Sequence, residues 1–63
     1  MSESALPRGI GAPATRALTG AGYTRLEQLA GVPEAALLEL HGVGPKAIRI
    51  LREELAAQGL DLG

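Results

Sequence analysis

"ELHGVGPKAIRIL", Glu39 to Leu51, joins the end of one apolar run to the start of the next through Gly42-Val43-Gly44. It then sets Pro45 and Lys46 ahead of Ala47, Ile48 and Leu51. Glycine gives up more backbone freedom on ordering than any other residue. Two of them in so hydrophobic a stretch must therefore serve the chain path. Helices commonly end on a left-handed glycine at C′, followed by an apolar C″ residue that folds back on C3 or C4. Proline suits the first helical position, where its missing N–H has no partner to lose. On this reading Gly42 ends a helix, Val43 plugs the core and Gly44-Pro45 opens the next helix.

The same rule works outward along the chain. Gly22 pairs Tyr23 with Leu18, Gly31 pairs Val32 with Leu26, Gly42 pairs Val43 with Leu38, and Gly59 pairs Leu60 with Leu55. The starts agree: "TRLE", Thr24 to Glu27, has the form of a capping box, and Pro33-Glu34 places a proline and an acid at a positive helix end. Four short helices are expected, at 12–21, 24–30, 33–41 and 45–58. Ala47, Ile48, Leu51 and Leu55 share one face of the last. Leu37, Leu38 and Leu40, then Leu26 and Leu29, then Ala14, Ala17 and Leu18 supply the facing surfaces. No run alternates with period two, so the class is all-α: a compact four-helix bundle in one domain, 1–63, with 1–7 as a frayed tail.

Composition narrows the function. With 63 residues, one small core consumes most of the apolar side chains, which leaves little for an enclosed cleft. No cysteine is present, so disulfides and cysteine-ligated zinc are excluded. No apolar run is long enough for a membrane span and no signal pattern opens the chain, so a cytoplasmic protein without membrane contact is expected. A formal net charge of −1 argues against a generic nucleic-acid coat; any such binding rests on charge placement. Arg8 and Arg16 flank one glycine turn, and Lys46, Arg49 and Arg52 line the start of the last helix. The acids fall elsewhere, on the middle helices and towards the end, and only Arg25 breaks the segregation; pairs such as Arg49–Glu53 are the structural alternative.

A second use of the Gly42–Gly44 turn follows from backbone chemistry. A helix N-terminus presents unpaired N–H groups and about half a unit of positive charge, which suits phosphate. Gly44 lets an anion approach its amide, Lys46 and Ala47 have free amides in the same turn, and the Lys46 ammonium reaches the same anion.

Apolar–Gly–apolar–Gly–x–Lys–Ala between two short helices resembles the helix-hairpin-helix motif, and residues 37–55 fit it almost position by position. "GIGAPATRAL", residues 9–18, is a weaker second copy of "GVGPKAIRIL", residues 42–51: Gly9, Gly11, Ala14, Arg16 and Leu18 align with Gly42, Gly44, Ala47, Arg49 and Leu51. The resemblance implies a SAM-like arrangement of hairpins, the second degenerate, that grips double-stranded DNA by its phosphates. The implied contacts are Gly42, Val43, Gly44, Lys46, Ala47 and Arg49, with Gly9, Gly11, Arg16 and Arg8. A monovalent cation on the carbonyls of 41–44 is part of the same analogy; no other cofactor is implied.

The whole chain also resembles the C-terminal domains of bacterial RNA polymerase α subunits, down to the tail "LAAQGLDLG", residues 55–63. That family enters the minor groove with an arginine that falls here at Pro13, beside an asparagine that falls at Arg16. Backbone gripping is therefore expected to carry over, and the A·T preference is not.

The remaining candidate residues suit structural roles. His41, the one histidine, suits a helix C-terminus. Tyr23, the one aromatic, suits the core, since base stacking normally uses several platforms. Ser2 and Ser4 have no base to activate them, and the glutamates form no apolar-set pair, so no enzyme is expected. The expectation is a bacterial, monomeric DNA-backbone module of little sequence specificity. The competing class is a protein-interaction module of the same fold, docking on a polymerase or repair partner. Exposed apolar anchors at the hairpins, Ile50 among them, would favour the second.

Overall fold

The computed structural model describes residues 5–63. Its described residues are all-helical, apart from one isolated bridge between Ala5 and Arg25. Three α-helices, α1 (Ala12–Gly20), α2 (Glu34–Leu38) and α3 (Pro45–Ala57), are joined by two 3-10 turns, Arg8–Ile10 and Leu26–Leu29. The radius of gyration, 10.3 Å, matches the roughly 10.6 Å of a compact chain of this length. None of these helices is long and apolar enough to cross a membrane.

Three expectations need correction. The helix expected at 24–30 is only the 3-10 turn Leu26–Leu29. Side chains three apart eclipse one another in that geometry, and Leu26 and Leu29, three apart, are both buried by it. The helix expected at 33–41 keeps only Glu34–Leu38 as α-helix, with Pro33 as its extended cap. Beyond it Leu40 N–H donates to Leu37 O and Val43 N–H to Leu40 O, both at 3.1 Å. This three-residue step carries the chain inward at Leu37 and Val43 and leaves Leu38 exposed at 39%. Leu38 is thus not the partner expected for Val43, and His41 lies in the exposed turn beyond α2 rather than in a last helical turn. The third correction concerns the N-terminal tail. Ala5 bridges Arg25 and Leu6 packs on the core, so the frayed segment does not extend to residue 7; residues 1–4, with Ser2 and Ser4, lie outside the described residues.

The four stop glycines all have positive φ, but they stop the chain in two ways. At Gly22 and Gly59 the full motif forms. Tyr23 N–H donates to Leu18 O and Leu60 N–H to Leu55 O, both at 2.8 Å, while Gly22 and Gly59 donate to Thr19 O and Ala56 O. At Gly31 and Gly42 the six-to-one bond is replaced by the tighter Val32→Leu29 and Val43→Leu40 bonds. The start of the 3-10 turn at Leu26 is held by Gln28, whose Oε1 accepts from Thr24 N–H at 2.7 Å and Arg25 N–H at 2.8 Å. Gln28 thus reaches back one residue later than the Glu27 of the expected box.

Leu18, Leu29, Leu37, Leu51 and Leu55 are fully buried, and each stabilises the fold by about 1.5–3 kcal/mol over its exposed state. They come from α1, the second 3-10 turn, α2 and α3, so one core joins these elements. Ala47, Ile48, Leu51 and Leu55 form the buried face of α3 as their spacing required. No polar side chain among the described residues is buried. The tail closes the fold: Gly31 N–H donates to Asp61 O at 2.9 Å, Gly63 N–H donates to Val32 O at 2.8 Å, and Leu60 and Leu62 lean on the core.

Candidate phosphate-binding turns

Gly42 and Gly44 bracket Val43 but do different work. Gly42 has φ 101°, and a Cβ built on it would stand 2.8 Å from the Pro13 carbonyl oxygen. Only glycine fits there, and its close approach brings the Gly42–Gly44 turn against the first turn of α1. Gly44 is extended, φ −112° and ψ −178°, and a Cβ on it would meet open space. Sterically a side chain would fit at 44, and what glycine gives the fold there is a favoured N-cap for α3.

Pro45 takes the first helical position of α3 as its chemistry suggests, and Ile48 N–H closes the first helical bond on Gly44 O at 3.1 Å. No side chain caps this end. Among the described residues, nothing accepts from the Gly44, Lys46 or Ala47 N–H groups. Val43 N–H, by contrast, is used by Leu40 O, and the Val43 and Ala47 side chains are in the core. Of the expected contacts on this turn, Val43 thus serves as a core plug, and Ala47 has only its amide to offer.

The N-terminal copy is built differently. Its leading segment is the 3-10 turn Arg8–Ile10, and Ile10 is buried as Val43 is. Gly11 has φ 90° and its N–H is taken by Arg8 O at 3.1 Å. Gly9 stands over Ile50, whose Cδ1 would lie 3.6 Å from a Cβ at that position. Ile50 is half-buried beneath this turn and so is not an exposed anchor.

The cations separate into two sets. Arg8, Arg16, Arg25, Lys46 and Arg49 are exposed, and none makes an ion pair among the described residues. Arg52 does: its Nη1 lies 3.1 Å from Glu34 Oε1 and its Nε 3.9 Å from Asp61 Oδ1. Arg49 makes no pair with Glu53, one helical turn on. An open groove of about 430 Å³ runs beside α3 past Arg49, Arg52 and Glu53, walled by Glu34 and Asp61. Sequence reasoning missed this network, because Glu34 and Arg52 are 18 residues apart and no local spacing joins them. No group of three His, Asp or Glu among the described residues is arranged to hold a metal ion.

Compared with protein-family models, with curated proteins and with solved structures, the chain finds no match.

Proposed function

We propose that this chain binds the phosphate backbone of double-stranded DNA through the start of α3, with little preference for sequence. The observation that carries the reading is the open approach to Gly44, at the start of α3, together with donors that have no internal partner. The Gly44, Lys46 and Ala47 N–H groups belong to a positive helix end, where a phosphate is favoured. Lys46 and Arg49 stand exposed on this part of α3 and make no ion pair among the described residues. The contact of Gly42 with Pro13 sets α1, bearing Arg16, next to this turn. Such contacts position a protein on the duplex but read no base edges. A protein-docking surface is less well supported: the one exposed large hydrophobic residue among those described is Leu38, and single exposed leucines are ordinary.

Binding of mixed-sequence and A·T-rich duplexes, followed by fluorescence anisotropy across a salt series, tests the reading. Both duplexes should bind alike, at about 10⁻⁴ to 10⁻⁶ M near physiological salt. Lys46→Ala should leave the stability within about 0.5 kcal/mol of the parent, as at exposed sites generally. It should also flatten the slope of log K against log salt by about 0.9. Gly44→Asp should bind worse still, since its carboxylate would occupy the anion position. A parent that binds no duplex at low salt, or variants that bind as it does, would refute the proposal.

A further inference from the structure

Lys46, Arg49 and Arg52 recur every three residues along α3, so by spacing alone they make one basic stripe. The structure divides that stripe. Arg52 is drawn against Glu34 and Asp61, and Glu53 shares the same groove. The groove sets three carboxylates, Glu34, Glu53 and Asp61, against the guanidiniums of Arg49 and Arg52, and of these two only Arg52 is ion-paired. We infer that Glu34 and Asp61 act as an electrostatic fence: they end the phosphate footprint at Arg49 and hold Arg52 outside it. The inference rests on the backbone-binding reading above and assigns its boundary.

Like charges set across an interface disfavour the wrong docking arrangement more than they alter folding. A phosphate advancing along α3 beyond Arg49 comes within the screening length, about 8 Å at physiological salt, of Glu34 and Asp61. The duplex is accordingly directed from the start of α3 towards α1, where Arg16 lies, and away from α2 and the tail. The fence costs the fold little. Arg52 and Glu34 side chains are 53% and 43% exposed, and pairs so exposed contribute little to stability. Neutralised variants should therefore fold, which leaves the binding effect measurable by itself.

The experiment compares the parent with Arg52→Ala, with Glu34→Gln/Asp61→Asn, and with the triple variant carrying all three changes. Each is titrated with one mixed-sequence duplex across a salt series, with circular dichroism melts to verify folding. Arg52→Ala alone should keep the parent's salt slope, because Arg52 touches no phosphate. Glu34→Gln/Asp61→Asn should steepen the slope by about 0.9, an extra affinity loss of about 3.5-fold between about 50 and 200 mM salt. Adding Arg52→Ala to that pair should restore the parent's slope. If Arg52→Ala alone flattens the slope, Arg52 already binds phosphate and the fence is wrong. If neutralising the acids tightens binding equally with and without Arg52, the effect is general charge and the fence is again wrong. A parent that does not bind DNA overturns the functional reading itself, an outcome separate from either of these.

Discussion

Gly42 and Gly22 form a matched pair, with φ of 101° and 100°, but only Gly42 is crowded. A Cβ at 42 would stand 2.8 Å from Pro13 O and 3.1 Å from Pro13 C; one at 22 would meet nothing within 4 Å. Alanine at either position incurs left-handed strain of about 1–2 kcal/mol, offset by about 0.4–1 kcal/mol from a less flexible unfolded chain. At 42 the new methyl must also push backbone aside, and overpacking of that kind costs about 1–3 kcal/mol. Gly22→Ala should thus lose about 1 kcal/mol and Gly42→Ala about 2–4 kcal/mol. Gly44→Ala is the control: its extended backbone and open surroundings accept a methyl. The gain of about 0.4–1 kcal/mol from a stiffer unfolded chain is offset by the loss of a favoured N-cap residue, so stability should stay within about 0.5 kcal/mol of the parent. Urea titrations by circular dichroism measure all three, with thermal melts shifting about 4–8 °C per kcal/mol at this size. A domain of this length has only about 3–9 kcal/mol of stability, so Gly42→Ala is best measured cold. Equal losses at 22 and 42 would show that α1 and the Gly42–Gly44 turn do not touch.

Three further outcomes follow from single contacts. Gln28→Ala removes the acceptor for Thr24 and Arg25 N–H groups; because these groups are exposed, the loss should be about 0.5–1.5 kcal/mol in a urea titration. Leu51→Ala empties a fully buried position and should cost about 2–5 kcal/mol, enough to leave much of the chain unfolded at room temperature by circular dichroism. Gly63→Ala would drive a Cβ into the Gly31 carbonyl; hydrogen exchange should then speed up at the Gly31 and Gly63 amides while the α3 amides keep their protection.

The apolar spacing of α3 and the glycine stops at 22 and 59 were legible in the sequence, because each depends on neighbours within six residues. The same glycine rule gave the left-handed turn at 31 and 42 but the wrong bonding, since it presumes an α-helix upstream. Leu26 with Leu29, and Leu37, Leu40 and Val43, recur at intervals of three, and the chain there takes 3-10 geometry and i→i−3 bonds. An interval of three is also a neighbour spacing on an α-helix, so spacing alone did not separate the two geometries. At the candidate site, the exposure of Lys46 followed from the buried positions of Ala47 and Ile48. The capture of Arg52 did not, because it depends on where α2 and the returning tail come to rest. Nor could sequence distinguish the two glycines of the hairpin: the close approach of Pro13 to Gly42 is a tertiary event.

The turn at Gly22 has a practical consequence. Tyr23 is the chain's sole aromatic residue, and it is half-buried with its N–H fixed on the Leu18 carbonyl. Every near-ultraviolet dichroic band and all intrinsic fluorescence of the folded protein therefore arise from one ring at the end of α1. The far-ultraviolet signal, by contrast, sums over all the helices. The two spectral regions observe different parts of one molecule without any label, and their melting curves superimpose only when the last turn of α1 and the rest of the helices unfold in a single step.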